Sequence, residues 1–292
     1  MKTINSLSGG KTSSYIAANY PADYNVFALI RTDDKNCIYP DEKVRQIVSE
    51  KIGKEFIGTL EDDTIIRTML DLEQFIGNQI NWISGLTFDE LCKKWSKGKK
   101  GFYIPNASMR FCTIEMKIKP IMQYVYDNIN EPVEMRIGYR ANEQHRAAAM
   151  LKRCDSSGFE YGKVIIGRHK NGNNKWGKYK YRKPTFPLIT NNIYRDQIEI
   201  YWKDKNVKFA FVNNCVGCFH SNLMLLKKQS DKNTNKFDWF IEAEKKCNET
   251  YKGRKWLADI KKPTYLEIKN YKSQLELFDD DFNECDSGYC GL

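Results

Sequence analysis

The stretch Thr3-Ile4-Asn5-Ser6-Leu7-Ser8-Gly9-Gly10-Lys11-Thr12-Ser13-Ser14 reads as a strand, a glycine turn and the start of a helix. Thr3 to Leu7 is a short strand, Ser8 to Lys11 the turn, and Thr12 to Asn19 a helix stopped before Pro21. Such a turn presents successive backbone N–H groups to one point, and the helix dipole adds partial positive charge there, so the pair makes an anion site. Glycines are required because a Cβ would block the backbone's approach to phosphate oxygens. Ser8, Thr12 and Ser13 add hydroxyl donors, Lys11 adds a point charge, and Ser14 ends the loop. The Walker pattern G-x-x-x-x-G-K-[ST] fails, because Asn5 stands where its first glycine is needed.

Working outward, Val26 to Ile30 is an unbroken apolar run, typical of a strand buried on both faces. Asp41 to Ile52 has helical spacing through Val44, Ile47, Val48 and Ile52 and stops at Gly53, and Phe56 to Gly58 offers a third strand. Residues 61–100 read as mainly helical, with Ile65, Met69, Leu72, Phe75 and Ile76 as a buried stripe. Met116 to Tyr126 is a further helix and Val133 to Ile137 a further strand. Val164 to Ile166 and Trp176 to Arg182 flank Asn171-Gly172-Asn173-Asn174, which predicts a β-hairpin inserted into the body. Residues 193–203 and 237–260 are again helical in pattern. This alternation predicts an α/β fold: a mostly parallel twisted sheet with helices on both faces.

No apolar run approaches the length that spans a bilayer, about 18 residues, and Met1 to Leu7 is too short and polar for a secretory signal. A cytoplasmic protein without membrane contact is expected. Residues 275–292 hold Glu276, Asp279, Asp280, Asp281, Glu284 and Asp286 without a Lys or Arg. Taking that −6 from the net charge of +10 leaves +16 on the rest, a surplus that attracts nucleotides, nucleic acid or acidic metabolites. Nine cysteines in a reducing compartment argue against a disulfide framework and leave metal ligation, thiol chemistry and plain burial.

Ser8 to Tyr15 resembles the PP-loop of the adenine nucleotide alpha hydrolase superfamily, most closely its phosphoadenosine phosphosulfate (PAPS) reductase branch with the phage-borne members. Three later stretches follow in the family's order. Arg110-Phe111-Cys112-Thr113 with Lys117 and Pro120 resembles its Cys-x-x-x-x-Lys-x-x-Pro segment. Gly138-Tyr139-Arg140-Ala141-Asn142-Glu143 with Arg146 resembles Gly-Ile-Arg-Ala-Asp-Glu, with Asn142 replacing the acid. Phe186-Pro187-Leu188-Ile189, followed by Cys215 and Cys218, resembles its Pro-Leu segment and downstream cysteines, with Asn191 or Asn192 where a Trp is common. The reductases end in Glu-Cys-Gly-Leu-His with a nucleophilic Cys. This chain ends Tyr289-Cys290-Gly291-Leu292, without the Glu and His.

Cys215-Val216-Gly217-Cys218 has the spacing of metal ligands and of redox dithiols. With Cys112 it makes the set of three thiolates that relatives of this superfamily use for a 4Fe–4S cluster. Cys285, Cys290, His220 or a substrate atom is then the fourth ligand, and zinc is the rival metal. Cys37, Cys92, Cys154 and Cys247 have no partner at useful spacing and are expected to pack. Arg140, Glu143 and Arg146 are one helical turn or less apart, which suits a phosphate clamp, the acid orienting an arginine or binding Mg2+, and also a surface salt-bridged helix start. The run from Lys163 to Lys183 interleaves Lys163, Arg168, Lys170, Lys175, Lys178, Lys180, Arg182 and Lys183 with Trp176, Tyr179 and Tyr181, without an acid. That pattern suits a nucleic-acid acceptor and also an exposed hairpin with one packed face.

Residues 1–212 are expected to form the nucleotide-binding α/β domain, and residues 213–292 a helical region with the C-x-x-C pair and an acidic cysteine-containing tail. The expected activity is ATP-dependent adenylation and sulfur transfer with pyrophosphate release, with Lys11, Arg140 and Glu143 acting on the phosphates. The nucleotide site comprises Ser8, Gly9, Gly10, Lys11, Thr12, Ser13, Ser14, Gly138, Arg140 and Arg146; Cys112, Cys215, Cys218 and Cys285 are the metal candidates. The alternatives are a thiol-dependent PAPS or adenylylsulfate reductase with Cys290 as nucleophile, and a non-catalytic module that binds nucleotide or nucleic acid.

Overall fold

The computed structural model describes residues 1–96, 101–106, 109–250 and 263–272. β1 (Thr3–Leu7) enters the glycine turn and α1 (Lys11–Asn19), and β2 (Tyr24–Ala28) returns beside β1. α2 (Glu42–Ile52) starts on Asp41, whose side chain accepts from the Val44 N–H, and stops at Gly53 with φ 62°. α3 (Thr64–Ile76), β3 (Ile80–Ile83) and α4 (Phe88–Lys94) follow. Next comes a helical stretch in four pieces: α5 (Phe111–Thr113), a π turn over Ile114–Ile118, α6 (Lys119–Tyr124) and a second π turn over Val125–Ile129. Pro120 has no N–H for the ladder, and the turn before it is the first of the widened ones.

β4 (Val133–Arg136) leads through a 3-10 turn into α7 (Gln144–Leu151). β5 (Glu160–Arg168) and β6 (Asn174–Thr185) follow, then α8 (Pro187–Thr190) and α9 (Arg195–Lys203). The last described elements are α10 (Leu223–Lys232), α11 (Thr234–Thr250) and α12 (Tyr265–Asn270). The strands form one sheet in the order β3-β2-β1-β4-β6-β5, parallel except for the β5–β6 pair. The chain moves outward from β1 to β3 and then crosses to β4 on the other side of β1, so the strand order reverses between β1 and β4. In open α/β sheets the crevice above such a switch point holds the ligand.

The central strands β1 and β2 feed two cores with a period of two. Phe27 and Leu29 pack with Ile16, Ile65, Met69 and Trp202 on one face, while Val26 and Ala28 pack with Ile121, Met122 and Val125 on the other. A third core joins Leu60, Phe88 and Phe111 to Phe237, Phe240 and Tyr265, so α10–α12 pack against the middle of the chain. No helix among the described residues is long and apolar enough to cross a membrane.

Four expectations are corrected. Phe56 to Gly58 is not a strand of the sheet; Gly58 makes only isolated antiparallel bridges to Thr32 and Ile38. The third strand is Ile80–Ile83, inside the stretch read as helical. Gly77, with φ 60°, ends α3 and leaves four residues, too few for periodicity to separate strand from helix. The hairpin is not an insertion but the edge of the sheet, because Arg182 to Thr185 of β6 pair in parallel with Val133 to Arg136 of β4. Within α3, Phe75 is exposed rather than part of the buried stripe.

Candidate functional site

Gly10 caps α1 in extended geometry and has no side chain to cap the first-turn amides, which suits an anion there. Ser13 braces the loop from within. Its hydroxyl accepts from the Ser8 N–H at 3.1 Å and donates to the Gly10 carbonyl at 3.1 Å. Gly9 sits at φ +79°, where a side chain is strained, and a Cβ on Gly10 would stand 2.1 Å from Nδ2 of Asn213. Asn213 therefore closes over the loop, and its Nδ2 also reaches Ser8 Oγ at 3.4 Å. Ser14 is fully buried.

The loop opens on a cavity of about 390 Å³ at the switch point. Ser8, Gly10, Lys11, Thr12 and Ser13 form one wall, and Gly138, Arg140, Glu143 and Arg146 beyond β4 form another. The structure thus brings the two predicted phosphate-binding groups together. Glu143 is buried and accepts from the backbone N–H of Arg140 at 2.8 Å and its Nε at 3.2 Å, while the other oxygen takes Nη1 of Arg146. Burial pushes the Glu143 carboxyl up, but the Arg140 hydrogen bonds and both arginine charges outweigh it and hold it below the ordinary range. Of the two roles expected of Glu143, the geometry is that of orienting arginines. Arg146 also lies 4.1 Å over the Tyr139 ring, which stacks on Phe186 at 5.6 Å and 6°.

Lys11 is ion-paired to Glu199 of α9, and Arg195 is 4.0 Å from the same carboxylate. Both partners of the Lys11 pair are over a third exposed, so the pair is worth about 1 kcal/mol at most and yields readily to a phosphate. Trp202 Nε1 donates to the Lys11 carbonyl at 3.0 Å and ties α9 to the loop. The sequence pattern does not single out Arg195, Glu199 or Asn213. Asn213 carries no signal in its neighbourhood, whereas Arg195 and Glu199 share a helix face at i,i+4 spacing.

A second, smaller cavity of about 40 Å³ is lined by Cys112, Cys215, Cys218 and His220, closed in by Phe88, Phe240 and Tyr265. The cysteines, about a hundred residues apart in sequence, therefore meet at one place. Lys117 lines both cavities and pairs at 3.2 Å with Glu61, a carboxylate only 2% exposed, so one ion pair stands in the wall between them. Among the described residues, however, no three His, Cys, Asp or Glu side chains are gathered closely enough to hold a metal ion. The cysteines share a cavity without being gathered as a coordination set.

Cys37, Cys92 and Cys247 are buried packing residues, and burial pushes the Cys37 and Cys247 thiols up to about 12. Cys285 and Cys290 lie outside the described residues. A larger hollow of about 850 Å³ beside Phe102 and Trp239 holds neither the glycine loop nor the cysteine pair, and Gly101 and Glu249 on its wall adjoin segments outside the described residues. No family model, curated protein or solved structure matches the chain.

Proposed function

We propose that the chain is a PP-loop enzyme of the PAPS reductase-like kind, which binds ATP in the 390 Å³ cavity and activates an acceptor as its adenylate. The observation that carries this reading is the convergence of the uncapped start of α1 with Lys11, Arg140 and Arg146 on one cavity. An acceptor oxygen attacks the α-phosphorus, the bond to the β-phosphate's bridging oxygen breaks, and pyrophosphate leaves. The loop amides, Lys11 and the arginine clamp neutralise the charge that builds on it. Mg2+ would enter with the nucleotide, since Glu143 is committed to Arg140 and Arg146. A persulfide on one of Cys112, Cys215 and Cys218, loaded by a sulfane-sulfur donor, attacks the activated carbon through its terminal sulfur as the C–O bond breaks and AMP leaves. A second of these thiols then cleaves the S–S bond, the acceptor keeps the sulfur, and the resulting cysteine disulfide is reset by an external thiol reductant. The shared Lys117 wall supports a link between the two cavities.

Calorimetry with ATP and with PAPS, joined to a pyrophosphate assay, tests the reading. Gly10→Val drives a side chain into Asn213 and the anion site, and is expected to weaken ATP binding by about tenfold or more, or about 1.4 kcal/mol. Unchanged affinity sinks the loop assignment, and sulfite formed from PAPS transfers the protein to the reductase reading.

A 4Fe–4S cluster or zinc, if resident, falls to these same cysteines. Anaerobic purification followed by an absorption spectrum and metal analysis decides: metal that each of Cys112→Ser, Cys215→Ser and Cys218→Ser lowers and Cys154→Ser does not would place it on these cysteines. Metal-free wild type assigns the three residues to thiol chemistry alone.

A further inference from the structure

We infer that the β5–β6 ribbon, residues 161–183, is a docking surface for a single-stranded polynucleotide. β5 is the outermost strand of the sheet, with β6 as its strand partner, and Gln123 of α6 bridges its edge at Ile165, accepting from the N–H at 2.8 Å and donating to the carbonyl at 3.1 Å. Lys163, Arg168, Lys170, Lys175, Lys178 and Lys183 are exposed along it, and no acid lies between them in sequence. The register sets Lys163 directly opposite Lys178. Like charges opposed across a strand pair destabilise it, and a bound polyanion removes that repulsion. Arg182, which the sequence groups with these cations, is excluded, because it is buried on Glu160.

Aromatic rings alternate with the charges. Trp176 is 47% exposed and has Lys119 at 5.6 Å, and Tyr161 is 39% exposed and has Lys178 at 4.6 Å. Cations follow a phosphate backbone, while exposed ring faces stack on bases, which only unpaired bases offer. The ribbon also leads to the nucleotide cavity, because Thr185 at the end of β6 pairs with Arg136 and Phe186 stacks on Tyr139 in the cavity wall. The docking itself does not depend on ATP chemistry.

The test is fluorescence anisotropy of a short labelled single-stranded RNA against the full chain at several salt concentrations. Lys163→Glu creates an opposite-charge pair with Lys178, so it keeps or raises thermal stability while weakening binding. Its slope of log affinity against log salt flattens by about 0.7, because one phosphate fewer is neutralised. Trp176→Ala weakens binding by about tenfold, because a base no longer stacks there. A folded wild type that binds no oligonucleotide at low salt overturns the inference. So do variants that bind as wild type does, duplex bound as tightly as single strand, and binding confined to anionic phosphatidylserine vesicles. Because the readout needs neither ATP nor pyrophosphate, it can fail while the adenylation reading stands, and the reverse.

Discussion

Glu160→Ala is expected to cost about 3–5 kcal/mol of folding stability, the penalty for leaving a buried charge without its partner. Arg182 is 1% exposed on β6 and donates Nε to Glu160 Oε2 at 2.8 Å, with Tyr181 Oη donating to the same oxygen at 3.3 Å. Arg153 donates Nε to the other oxygen at 3.0 Å. Burial acts to raise the Glu160 carboxyl, yet Arg182 and Arg153 outweigh it and hold it below the ordinary range. A depressed carboxyl contributes stability that is present above its unfolded pKa and lost as pH falls through the folded one, so the wild type should weaken only at strongly acidic pH. The double change Glu160→Ala with Arg182→Met should recover most of the loss, since a buried pair replaced by apolar groups is close to neutral. Urea unfolding of the three proteins decides: a single-variant loss under about 1 kcal/mol would mean the pair behaves as an exposed surface pair.

That pair also marks a limit of sequence reading. Arg182 sits in a run of exposed lysines and looks like one more of them, and only the parallel pairing of β6 with β4 buries it. The strands that are legible in the sequence are those with long signals: Thr3–Leu7 before its glycines, and Val133–Arg136. β2 reads two residues late, because the apolar run Val26 to Ile30 outlasts the strand; Leu29 still donates its N–H to the Ile83 carbonyl, so the ladder fades rather than stops. β3 is hidden because Ile80 to Ile83 directly follows a long amphipathic helix, and only the positive φ of Gly77 separates them.

At the site, what can be read is what lies close in sequence. Gly9, Gly10 and Lys11 announce themselves, and Arg140, Glu143 and Arg146 follow one another at three-residue spacing. Partners brought in from afar are silent. Asn213 meets Gly10 across two hundred residues of chain, and Glu199 reaches Lys11 from α9. The Lys117–Glu61 pair is the sharpest case, because neither residue looks unusual alone, and their meaning comes from standing between two cavities.

Glu143→Gln is expected to weaken ATP binding by about 10- to 150-fold, the range of roughly 1.5–3 kcal/mol for a charge-assisted hydrogen bond. The sign discriminates. Removing a carboxylate makes the cavity more positive, so if charge alone held the phosphates, ATP would bind more tightly. If Glu143 works by orienting Arg140 and Arg146, breaking its hydrogen bonds lets both forks swing and affinity falls despite the gain in charge. Arg146→Lys should weaken binding as well, since it keeps the charge and loses the fork that packs on Tyr139. A pH series adds an independent readout. The Glu143 carboxyl is held below the ordinary range, so protonation turns the wild type into a mimic of the variant only at pH below that range. The ratio of wild-type to Glu143→Gln affinity, in which titration of ATP itself cancels, should therefore stay constant from neutral pH down to the ordinary carboxylate range and then fall towards one. Tighter binding by Glu143→Gln, or a ratio that collapses near neutrality, would show that the phosphates are held by net charge rather than by an oriented clamp.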